Sequence, residues 1–132
     1  MIVNDDFLLT AGEIAVGKRE IDYRNAISRA YYFAYHEGSK YQHLCPGIAH
    51  LVIRGGYHER LIQRYLQFTA NDKAVALGYV LQDMRNKREA ADYYLSDNVN
   101  ARDAQIQIKT ARTLQSRFAS FFDASSVPHK SA

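Results

Sequence analysis

The chain has 132 residues, one domain's worth, and 47% of them are hydrophobic, enough for a single core. Its single cysteine, Cys45, excludes an intrachain disulfide and fits a reducing, cytoplasmic setting, and no apolar run approaches the roughly 18 residues of a membrane span. The net charge of +3 and pI of about 9.0 permit an anionic partner without demanding one. The charge is uneven: residues 1–50 carry five Lys/Arg and six Asp/Glu, whereas residues 51–132 carry twelve and eight. A polyanion is therefore expected to meet the second half first.

Two prolines and seven glycines leave long uninterrupted stretches, and apolar spacing predicts five helices. The first spans residues 5–16, capped by Asn4 or Asp5, with Phe7, Leu8, Ala11, Ile14 and Ala15 on one face and Gly17 at its end. The acidic opening MIVNDDFLLTAGE, with its short apolar run, does not read as a signal peptide. The second helix spans 22–42. Tyr23, Ile27, Ala30, Tyr31 and Ala34 form its apolar stripe, and Asn25, Arg29, Tyr32 and His36 a separate polar stripe at the same spacing.

Residues 44–56, LCPGIAHLVIRGG, read as a loop with one short apolar turn, and Cys45 beside Pro46 reads as a packed residue rather than a nucleophile. A third helix is expected over 57–68, with Tyr57, Leu61, Tyr65 and Phe68 on one side and Arg54, Arg60 and Arg64 on or beside it. After a break at 69–72, the fourth runs towards residue 95. Its stripe is Leu77, Leu81, Met84, Arg88, Ala91 and Leu95, an arginine standing where the pattern asks for an apolar residue. Ser96, Asp97 and Asn98 punctuate the chain. The fifth helix spans 100–122 on Ala104, Ile108, Ala111, Leu114, Phe118 and Phe121. The expectation is an all-α, up-and-down antiparallel bundle of four to five helices in residues 1–122, with a flexible tail over 123–132.

Arg85, Arg88 and Asp92 fall on one stripe of the fourth helix. Arg85 has the planar fork that pairs with phosphate. Arg88, on the apolar seam, needs a partner if buried, and Asp92 is one turn away. Periodicity alone favours a packing salt bridge over a phosphate or catalytic site. The stripe Asn25, Arg29, Tyr32 and His36 either lines a cleft or forms a polar rim, and spacing does not separate the two. Ten tyrosines, with pairs at Tyr31–Tyr32 and Tyr93–Tyr94, favour core or interface filling over base stacking. The five histidines, His36, His43, His50, His58 and His129, lack metal-site spacing, and there is no glycine-rich phosphate loop or nucleophile elbow. No metal and no cofactor are expected.

Residues 23–38, YRNAISRAYYFAYHEG, resemble the second-helix signature of the HEPN family (higher eukaryotes and prokaryotes nucleotide-binding domains). Residues 85–93, RNKREAADY, resemble the late-helix signature of its subgroup ending in Ala-Asp-Tyr. The resemblance covers about residues 5–122. It implies a bundle of four or five helices and a homodimer whose late-helix motifs meet across a cleft. It also implies an RNA- or nucleotide-directed function. Many members are metal-independent endoribonuclease toxins of toxin–antitoxin or defence systems, restrained by a nucleotidyltransferase-type antitoxin.

Their active motif is Arg, a polar residue, several variable positions, then His. Arg85 and Asn86 match its opening, so the resemblance implies that Arg85 holds the scissile phosphate and Asn86 orients it. The His would fall between Ala90 and Asp92, where this chain has none. Asp92 stands there instead, followed by Tyr93. An Asp paired with a cation is a poor base, so His36, or else His58, would have to move the proton. Arg88, Tyr93, Arg29, Tyr32 and Asn25 complete the expected substrate-binding set. The alternative is a non-catalytic dimeric adaptor that binds nucleotide or RNA and partners a nucleotidyltransferase.

Overall fold

The computed structural model describes residues 1–46 and 55–126, with side chains as far as residue 121. Five helices form an all-α up-and-down bundle: α1 (Asp5–Ala15), α2 (Glu20–Tyr41), α3 (Tyr57–Leu66), α4 (Asp72–Tyr93) and α5 (Ala101–Ser126), with a 3-10 turn at Gln42–Leu44 after α2. There is no strand among the described residues, and no described helix is long and apolar enough to cross a membrane. The apolar turn expected within 44–56, together with His50 and Arg54, falls on residues 47–54, outside the described residues, as does His129.

Helix α2 is the hub. It packs against α1, α4 and α5, while α3 lies chiefly against α4. The reason is in its sequence: Ala26, Ala30 and Ala34 are fully buried and let neighbouring backbones approach, while Tyr31 and Phe33 fill the space between. Leu77, Leu81 and Met84 of α4 meet Leu114, Phe118 and Phe121 of α5 in the same core. Each such buried side chain contributes on the order of 1.5–3 kcal/mol. Phe118 stacks on Tyr41 at 5.8 Å, and Tyr65 donates its hydroxyl to the Gly38 carbonyl at 2.6 Å, pinning α3 to α2.

The helix ends differ from expectation in instructive ways. Asn4 stands at the N-cap of α1 but makes no capping bond. Its amide crosses to α2 instead, donating to the Phe33 carbonyl at 3.1 Å and to the buried carboxylate of Glu37 at 3.0 Å. Helix α2 begins two residues early because Asp22 accepts from both the backbone and the guanidinium of Arg19. Asn71 caps α4 through Ala74 N–H at 3.1 Å. Helix α4 stops at Tyr93, so Leu95, read as the last member of its apolar stripe, lies beyond it and is exposed. Tyr57, expected on the packed side of α3, is also exposed. Helix α5 continues to Ser126, so residues 123–126 of the expected tail are helical; 127–132 lie outside the described residues.

Candidate functional site

The C-terminal half of α4 is held from α2 by Arg24, which is 4% exposed. Its guanidinium donates to the carbonyls of Ala90 (3.3 Å), Ala91 (2.9 Å), Tyr94 (3.2 Å) and Asp97 (2.6 Å), at and just beyond the end of α4, where the negative pole of the helix dipole favours a cation. Glu20 closes the arrangement, pairing with Arg24 Nε at 3.1 Å and accepting from Val99 N–H at 3.2 Å. From the other side, the buried Gln107 of α5 donates to the Met84 carbonyl at 3.0 Å. These contacts fix the part of α4 that carries Arg85, Arg88 and Asp92.

Arg88 is 8% exposed and sits on the apolar seam. Its guanidinium carbon lies 5.5 Å from the Tyr31 ring centroid and 5.8 Å from that of Tyr32, a cation–π position between two α2 aromatics. Its Nη1 is 3.6 Å from the Asp92 carboxylate, which also accepts from the Ser28 hydroxyl at 3.3 Å. The Nε–H of Arg88 is buried and has no hydrogen-bond acceptor among the described residues. Arg85 turns towards α3, where Nη1 meets the Glu59 carboxylate at 2.7 Å. Its Nε is 3.3 Å from Glu89 but misaligned, so that N–H also lacks a hydrogen bond.

His58, in the first turn of α3, completes the group. Its Nδ1 is 2.7 Å from the Tyr31 hydroxyl, and its ring centroid is 4.3 Å from that of Tyr35 and 6.0 Å from that of Tyr32. Burial pulls the imidazole below the ordinary histidine range, and the charges of Arg88, Arg85 and His36 lower it further, against a smaller opposing effect of Glu89. His58 is therefore neutral near pH 7. Burial likewise pushes the Tyr31 phenol above its usual range, so it stays protonated.

The predicted residues divide. Arg85, Arg88, Asp92 and Tyr32 come together. His36 is exposed at the margin, stacked on Phe7 of α1 at 5.3 Å and edge-on to Tyr35 at 5.2 Å. Arg29 is exposed and lines a cleft of about 280 Å³ between α1 and α2 with Phe7 and Asp6. Asn25 and Asn86 are exposed, and Tyr93 is 69% exposed. Asn86 therefore does not share the face on which Arg85 meets α3, because adjacent helical residues point about 100° apart. His58 enters with Tyr31, Tyr35, Ser28, Glu59 and Glu89 as a member that helical spacing does not select, since the packing of α3 on α2 brings it to Tyr31 and Tyr35 and the packing of α3 on α4 brings Glu59 to Arg85.

Chemically, two permanently charged guanidiniums, two N–H donors without acceptors and a neutral imidazole suit an oxyanion whose proton balance matters. The carboxylates of Glu59, Glu89 and Asp92 offset that charge. Among the described residues no group of three or more His, Cys, Asp or Glu side chains is arranged to hold a metal ion. A separate cavity of about 230 Å³, with Ile27, Val99 and Ile106 in its wall, includes none of this cluster. Comparison with family models, with curated proteins and with solved structures gives no match for the chain.

Proposed function

We propose that this chain is an RNA-directed protein of the HEPN type, and that Arg85, Arg88 and His58 form its phosphodiester site, with metal-independent endoribonuclease activity. What supports the reading is that Arg88 and the His58 imidazole both lie against the Tyr31 and Tyr32 rings, while Arg85 of the late-helix motif pairs with Glu59, the neighbour of His58 in α3. That motif has no His of its own, and an imidazole from α3 answers the need for a proton carrier near neutral pH. In this reading Arg85 contacts a non-bridging phosphate oxygen, Arg88 braces the aromatic layer, and Tyr31 orients the His58 ring. Asp92, tied to Arg88 and Ser28, is a positioning residue rather than a base. A homodimer joined near the motif, a nucleotidyltransferase-type antitoxin and a cytoplasmic setting belong to the same proposal.

A second reading, a non-catalytic RNA- or nucleotide-binding adaptor, is favoured by one specific contact. Arg85 is already met by Glu59 at 2.7 Å, so phosphate must displace a carboxylate to reach it. Incubation of labelled total RNA with purified protein in EDTA separates the two, with Arg85→Ala as control. Discrete products that vanish in the variant support the nuclease. Intact RNA that is still bound supports the adaptor.

A further inference from the structure

Three basic side chains border one aromatic layer: Arg88 and His58 both lie against Tyr31 and Tyr32, and Arg85 pairs with Glu59 next to His58, yet only the two arginines are charged at neutral pH. Arg85 and Arg88 come from α4, and His58 from α3. The groups facing His58 are Tyr31, Tyr32, Tyr35 and His36 on α2 and Arg85, Arg88 and Glu89 on α4; Glu59 adjoins it on its own helix. Burial opposes a positive charge on His58 most, and the two guanidiniums oppose it further. An anion seated beside them would offset the guanidiniums' share, and the buried Nε–H of Arg88, without an acceptor among the described residues, is a donor such an anion would satisfy.

We propose that Arg85, Arg88 and His58 form a phosphodiester site that takes up a proton on His58 together with the anion. This rests on the reading that the cluster contacts phosphate, and adds how that contact is regulated. The coupling is reciprocal: if bound phosphate favours the protonated imidazole, the proton tightens phosphate binding by the same factor. Tyr31 is suited to both states. The neutral ring can accept from the phenol at Nδ1 in its Nε2–H tautomer, and the imidazolium can donate to the phenol oxygen from the same atom, so the 2.7 Å contact suits both states. The site is weak at neutral pH and strengthens on mild acidification.

The test uses the thymidine dinucleotide dTpdT, which has one phosphodiester, no 2′-hydroxyl to react, and a constant single charge across the range. Binding is measured by calorimetry at about pH 5.5 and about pH 8, and the His58 ring proton is titrated by NMR with and without ligand. Affinity is expected to be about tenfold tighter at the lower pH, with the His58 titration midpoint raised by the ligand. His58→Gln is expected to lose the tightening, so that its affinities at the two pH values are alike, while His43→Gln, in the 3-10 turn after α2, keeps the tightening. Should Gln at 58 unfold the chain, the His58 titration of the unaltered protein still decides: a midpoint that dTpdT raises supports the inference, and one that it leaves in place overturns it. Binding that is flat with pH, with an unmoved His58 titration, overturns the inference and leaves the phosphate reading standing. No binding at either pH overturns both.

Discussion

Tyr31 and His58 meet at 2.7 Å across the boundary between α2 and α3, with the Arg88 guanidinium 5.5 Å from the Tyr31 ring centroid. The phenol anchors the imidazole by one nitrogen, and burial with the nearby guanidiniums keeps that ring neutral. A stability consequence follows directly. The folded chain binds a proton at His58 less readily than the unfolded chain, whose histidine keeps its ordinary pKa of 6.5. The contribution is therefore fully present above that value and is lost as pH falls through it towards the lowered folded value. Melting temperature is expected to drop between about pH 7.5 and about pH 5, and His58→Gln to flatten part of the slope. An unchanged slope in the variant would assign the pH response to other groups.

Arg88→Ala leaves Asp92 with Ser28 as its remaining partner among the described residues and opens a gap beside Tyr31 and Tyr32. The Asp92 carboxylate is partly exposed, so the loss is smaller than for a fully buried pair, about 1–3 kcal/mol by denaturant unfolding. Arg88→Met keeps the stem in place and is expected to cost less. If Arg88 is mainly a brace, the alanine variant loses more stability than RNA affinity.

Arg24→Ala removes four carbonyl contacts and the partner of Glu20 at once, an expected loss of about 3–5 kcal/mol. Lysine does not rescue it, because one ammonium cannot span carbonyls that a planar fork reaches together. A wild-type melting temperature for Arg24→Lys would show that charge alone suffices.

Glu59→Gln releases Arg85 from its closest carboxylate. Short single-stranded RNA is expected to bind about threefold to tenfold more tightly, with a steeper salt dependence. Arg85→Ala is expected to weaken binding by at least as much. If the glutamine variant binds RNA no better, Glu59 does not compete with phosphate.

Two glycines predict opposite outcomes. A methyl at Gly78 would come within 2.8 Å of the Leu66 side chain and 3.0 Å of its backbone nitrogen, at the crossing of α3 and α4, so Gly78→Ala is expected to cost about 1–3 kcal/mol. Gly12, inside α1, has its nearest neighbour 3.8 Å away, the end of the Arg112 side chain. There Gly12→Ala is expected to stabilise by about 0.5–1 kcal/mol. Chemical denaturation of both variants checks the pair.

Much of this architecture is legible in the chain because each helix repeats its apolar residues at three and four. Arg88 could be expected in the core for the same reason: it interrupts a stripe whose other members Leu81, Met84 and Ala91 are buried. What periodicity cannot carry is the meeting of different helices. It grouped Asn25, Arg29, Tyr32 and His36, yet Tyr32 and His36 join the aromatic layer, Arg29 borders α1 and Asn25 faces solvent. It gave no reason to bring His58 or Glu59 to Arg85, since that depends on how α3 crosses α4. The cap expected of Asn4 or Asp5 is likewise a local reading, whereas the Asn4 amide spans to Glu37, 33 residues away.

Arg24 holds the end of α4 by main-chain oxygens, and such a hold is blind to the side chains above it. The surface from Tyr93 to Leu95 can therefore be rewritten without disturbing the bond that positions the site. An engineer seeking a new recognition face beside the arginines could randomise those three residues and keep the frame.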